Sequence, residues 1–223
     1  MYLPDAPSFI IKYSLNHSKN KTMKKSFLPL VVLFGTIGFT SCDDAAVSKT
    51  TFALDEENSE VVWKGYSPTL YHDGSFAVES KGIEVVDGNV KGGTFTIPIS
   101  SIQNFDLPDE VKPVLLEHLK SPDFFNMALH PSASFKITHV KPLSSPTEEA
   151  NYTVTGDFTM LGQTHPITFP AMITLNGSKL DIIASFEIDR TKWGMNYAAD
   201  PALGEHHILP KVDIRLDIKA RKQ

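Results

Sequence analysis

Residues 151–175 read NYTVTGDFTMLGQTHPITFPAMITL. Tyr152, Val154, Gly156, Phe158 and Met160 alternate with Thr153, Thr155, Asp157 and Thr159, the period-2 pattern of a strand with one dry and one wet face. Leu161-Gly162-Gln163-Thr164 interrupts it with a turn. Ile167, Phe169, Ala171, Ile173 and Leu175 then resume the alternation. Two amphipathic strands joined by a short loop predict an antiparallel hairpin whose aromatic face needs a large partner surface.

The rest of the chain offers one. Residues 51–55 and 60–66 read as short strands, 71–74 (Tyr-His-Asp-Gly) as a turn, and 76–86 and 90–101 as long strands joined by Asp87-Gly88-Asn89. Pro98 cannot donate to a ladder, which predicts a bulge or local edge there. Further strands are expected over 132–140, 180–189 and 211–220, the last alternating Val212, Ile214, Leu216, Ile218 and Ala220 with charged residues. A single helix is predicted between Asp106, its cap, and Ser121-Pro122. Pro108, Asp109 and Glu110 suit its first turn, and Val111, Leu115 and Leu119 form its apolar stripe. Pro113 sits awkwardly inside and offers a later start. About eight long amphipathic strands and one helix predict an all-β fold, a closed antiparallel barrel over residues 51–223. A two-sheet sandwich is the alternative.

The whole chain carries a net charge of −5 from 21 basic and 26 acidic residues, but residues 1–41 hold five Lys and one Asp. The remainder is therefore at −9, which argues against a nucleic-acid partner. From Met23 the chain runs MKKSFLPLVVLFGTIGFTSCDD. A basic start, an apolar stretch too short to span a bilayer and small residues before Cys42 read as a signal peptide over 23–41. The Phe-Thr-Ser-Cys ending resembles a bacterial lipobox, which predicts lipidation at Cys42, the one cysteine, and a membrane partner through that anchor. Residues 1–22 lack any periodic pattern and are read as an over-called extension, and 42–50 as a polar tether. The expected location is the bacterial cell envelope, facing the periplasm or on the outer membrane.

Chemistry-bearing patterns are sparse. His206 and His207 are adjacent and would point to opposite faces of a strand, and the other histidines lack ligand spacing, so no metal site is expected. No G-x-S-x-G elbow or Gly-rich phosphate loop occurs, and neither catalytic residues nor a cofactor are expected. Arg190, beside Asp189, is expected to hold local backbone through hydrogen bonds and salt bridges. Trp193 either closes a barrel end over a ligand or caps the core.

Four ordered segments resemble the YceI-like family. They are the hairpin motif 152–167, Leu119-Lys120-Ser121-Pro122-Asp123-Phe124-Phe125, Pro131-Ser132-Ala133-Ser134-Phe135, and Ile188-Asp189-Arg190-Thr191-Lys192-Trp193-Gly194-Met195. Tyr71-His72-Asp73-Gly74 fits the family's H-x-G. Pro98 and the stretch near Glu205-His206-His207 depart from the pattern. The resemblance implies a lipocalin-like barrel that binds an isoprenoid lipid or isoprenoid quinone by its tail. Phe95, Ile97, Phe135, Ile137, Phe158, Met160, Ile167, Phe169, Phe186, Ile188, Ile214 and Leu216 are placed inward as the lipid-binding lining, with Trp193 at one end. The same alternation also arises in a barrel packed on itself, a structural or interaction module without ligand. A homodimer is compatible with either.

Overall fold

A computed structural model describes residues 47–223. The expectations for residues 1–22, for the segment 23–41 and for Cys42 lie outside the described residues. Ten strands form one antiparallel sheet. The first five are β1 (Lys49–Leu54), β2 (Glu60–Tyr66), β3 (Tyr71–Ala77), β4 (Glu79–Val86) and β5 (Asn89–Pro98). After helix α1 (Lys112–Lys120) come β6 (Ser132–Pro142), β7 (Tyr152–Met160), β8 (Gln163–Asn176), β9 (Lys179–Asp189) and β10 (Lys211–Lys222).

Eight strands, β1 and β4 to β10, close into a barrel because β1 pairs with both β4 and β10. Closure removes the edges that would otherwise template association. β1 meets only the C-terminal end of β10, from Leu54↔Ala220 to Phe52↔Lys222. β2 takes over further along the same edge, from Asp217↔Glu60 to Val212↔Gly65. At the changeover Ser59, itself buried, accepts from the Lys219 N–H at 2.9 Å and donates to the Lys219 carbonyl at 3.2 Å. β3 pairs with β2 and extends that wall beyond the ring.

The central hairpin forms as expected. β7 and β8 run in register from Tyr152↔Ala171 to Met160↔Gln163. Leu161 and Gly162 make the turn at φ 52° and 74°, the double positive-φ geometry that matches strand twist. Gly156 lies on its inner face, where any side chain would overlap the Phe135 ring and the Lys136 carbonyl.

Three expectations change. Residues 71–74 are not a turn but the start of β3; the turn lies before them, where Ser67 and Leu70 bond each other. Gly74 is required because the Gln103–Asn104 backbone passes directly over it, leaving no room for a Cβ. That passing segment bonds β3 through Gln103 N–H to Ser75 O and Phe105 N–H to Asp73 O. Strand 90–101 stops at Pro98, and Ile99–Ser101 turns away as a short 3₁₀ helix. The irregularities of pairing fall between β4 and β5, beside Gly82, and between β6 and β7, at Ile137–His139. The helix begins at Lys112, with Pro113 in its first turn, so Val111 is its cap and Asp109 and Glu110 lie outside.

Asp106 caps no helix. Its carboxylate accepts from the Asp73 N–H (3.0 Å) and Asn104 Nδ2 (2.6 Å) and pairs with His72 Nδ1 (2.8 Å). Burial alone would push its pKa up, but the Asp73, His72 and Asn104 contacts outweigh it and hold the carboxyl below its ordinary value. A depressed carboxylate stabilises the fold above its unfolded pKa, and the gain is lost as pH falls through the folded value. Asp106→Asn is therefore expected to cost about 1–3 kcal/mol at neutral pH. In urea unfolding its deficit relative to the parent should shrink below about pH 4, the ordinary carboxylate range.

Candidate functional site: an apolar two-chamber interior

Because side chains alternate along every strand, each barrel strand contributes its apolar set to one enclosed space. Across β5, β6 and β7, Phe95, Phe135 and Phe158 stand in one cross-strand row. On the other wall Phe169 stacks on Phe186 with centroids 4.1 Å apart and planes 6° off parallel. These rings leave a narrow inner chamber of about 90 Å³ whose lining side chains are all apolar. It adjoins a wider chamber of about 390 Å³ at the end covered by α1, residues 66–72 and residues 205–209. Val61, Ile97, Phe158, Ile188 and Ile214 line both chambers, so the two abut.

Of the thirteen residues placed at the lining from sequence, eleven border the inner chamber. Met160 borders the wider chamber instead. Trp193 borders neither chamber and is only 2% exposed. It fills a gap in the wall, edge-on to Phe158 and His165 at 5.2 and 5.4 Å, with its indole N–H donated to the Phe158 carbonyl at 3.0 Å. Sequence reasoning missed Val61, Val78, Val90, Val140, Val154, Ile173, Ile182 and Ile218 on the inner lining, although the alternation that marked their neighbours marks them too. It also missed the mouth, where Leu70, Phe124 and Ile208 come from turns and loops without periodicity.

The mouth has polar members. Arg190 is 3% exposed and borders the wider chamber. It donates to the carbonyls of Met195 (2.6 Å), Ile208 (2.7 Å), Tyr197 (2.9 Å) and Leu209 (3.2 Å). Burial lowers its pKa, opposed by the nearby Asp189 charge, but a guanidinium stays protonated throughout. The expected backbone-holding role is thus seen as carbonyl contacts. Asp189 is spent on the Thr191 N–H and hydroxyl rather than on a salt bridge to Arg190. His118, Phe124 and Tyr197 form an aromatic cluster, each pair about 5 Å apart. His206 lies at the mouth at the end of a 3₁₀ turn, not in a strand. Among the described residues no three His, Cys, Asp or Glu side chains gather as a metal site. No described helix is long and apolar enough to cross a membrane.

Residues 52–220 match the YceI-like domain. The chain belongs to the YceI-like family. Protein YceI of Escherichia coli is 28% identical over 166 residues, covering 70% of this chain and 75% of that protein. Two solved structures share the barrel. Burkholderia cenocepacia BcnA superposes with a TM-score of 0.57 at 19% identity, over 74% of this chain and 98% of its own. A polyisoprenoid binding domain from Saccharophagus degradans, implicated in plant cell wall breakdown, superposes at 0.59 with 12% identity, over 78% of this chain and 99% of its own. At such identities the likeness carries the fold, and the YceI-like interior has to be judged on its own side chains.

Proposed function

We propose that this YceI-like barrel binds the long apolar tail of a polyprenyl lipid or isoprenoid quinone noncovalently. It carries or sequesters that lipid in the bacterial cell envelope, without a chemical step and tethered through a lipidated Cys42. The observation that carries the binding is the inner chamber with no polar lining side chain, adjoining a mouth that contains polar groups. Such a space suits a hydrocarbon tail inside and a polar head at the opening. The polyisoprenoid-binding relative of the same fold supports the choice of guest. Each CH₂ moved from water to an apolar lining gains about 0.8 kcal/mol. Affinity for isoprenoid alcohols is therefore expected to rise about a hundredfold or more per added isoprene unit until the chambers are full. Affinity independent of chain length in a fluorescence titration would rule out tail binding. The tether makes a separate prediction. Cys42→Ser should move the expressed protein from the detergent phase to the aqueous phase, and unchanged partitioning would refute it.

A further inference from the structure

The ladder between β8 and β9 covers less than half of β8 and is shorter than those on either side of it. The two strands pair at six positions, from Ala171↔Ala184 to Asn176↔Lys179. By contrast β9 pairs with β10 at eleven and β7 with β8 at nine. Beyond Ala171–Ala184, residues 163–170 pair only with β7, and 185–189 only with β10.

The sequence of β8 explains the parting. Ala171 O accepts the Asn151 N–H, and both the N–H and the carbonyl of Ile173 are engaged by the Asn151 side chain. Odd-numbered residues of β8 therefore turn their backbone groups toward β7, and even-numbered ones toward β9. Pro166 and Pro170 occupy even positions and have no N–H to give. Two of the four donors that residues 163–170 could offer β9 are missing.

Side chains close what the backbone leaves open. Phe169 and Phe186 stack across the seam at 4.1 Å. Beyond them Ile167 and Ile188 border the inner chamber and also a groove of about 410 Å³ that Pro166, Glu187, Asp189, Lys192 and Trp193 complete. Only one layer of side chains separates chamber from groove. Trp193 bounds this layer at its upper end, against His165, whose buried Nε2 has no partner.

We propose that the β8–β9 seam is a side portal through which the apolar chain of the ligand passes, with Phe169 and Phe186 as its door. Beyond Ala171–Ala184, parting the two strands breaks side-chain contacts but no ladder hydrogen bonds, unlike the flanking β7–β8 and β9–β10 seams. This inference rests on the tail-binding reading above, and the test separates the two. In the full chain with Cys42→Ser, Pro170→Cys and Ser185→Cys occupy the first exposed position of each strand beyond the ladder. Uptake and release of N-phenyl-1-naphthylamine, followed by stopped-flow fluorescence, give the rates. Oxidation should slow both about tenfold or more while leaving equilibrium occupancy unchanged, as for a blocked gate. Equal rates in the oxidised and reduced protein would overturn the portal. Absence of probe binding in both forms would overturn tail binding itself. Phe186→Ala provides a second arm that needs no cross-link. Uptake and release should both quicken about tenfold, as for an opened gate. Faster release alone would make Phe186 a mere ligand contact and refute the door.

Discussion

Arg190→Leu is expected to destabilise the barrel by about 4 kcal/mol, because one buried and three half-buried carbonyls lose their donor and each one left unpaired costs about 1–3 kcal/mol. Four carbonyls depend on this one side chain. They belong to Met195, Tyr197, Ile208 and Leu209, so the guanidinium is what ties residues 195–209 into the mouth. For a chain of this size the melting temperature should fall by roughly 10 °C or more. Arg190→Lys should recover only part of this, since one ammonium cannot reproduce the planar fork. A fall of less than about 3 °C for the leucine variant would mean that water satisfies the carbonyls and that the residue does not organise the mouth.

The second large effect concerns binding. Ile97 borders both chambers, at their junction. Ile97→Trp should plug the junction and confine any guest to the mouth. Excluding about five carbons at about 0.8 kcal/mol each predicts a loss of affinity for long isoprenoids on the order of a hundredfold or more. Overpacking should cost about 1–3 kcal/mol of stability, which a thermal melt would register separately. Titration with a long and a short isoprenoid alcohol gives the readout, and the short one should keep most of its affinity. Equal losses for both would show that the inner chamber does not receive the tail.

Much of this interior was legible because a strand exposes its choices in every second residue. Phe158, Ile167, Phe186 and Ile214 could be placed from the alternation alone, and the chamber they border follows once the sheet closes. What was not legible depends on contacts distant in sequence. His72-Asp73-Gly74 has the composition of a turn, yet Gly74 is small because residues 103–104 cross it. Asp106 looks like a helix cap, but its acceptors are used to fasten that crossing segment to β3. The mouth escaped for a related reason. Leu70, Phe124 and Ile208 reach it from separate loops, and loops carry no periodic signal. Pro166 and Pro170 were visible from the start within the central hairpin. Their consequence emerged only when the bonds of Ala171 and Ile173 showed which strand each proline faces.

The binding expectations depend on the barrel holding a lipid tail. Native mass spectrometry of the protein purified in mild detergent tests this most directly. The expected spectrum shows the barrel carrying one noncovalent adduct, with a mass that fits a polyprenyl lipid or isoprenoid quinone. The adduct should be released by organic solvent and be sharply reduced in Ile97→Trp. A barrel that emerges empty, and remains empty after incubation with long-chain isoprenoids, would contradict the account.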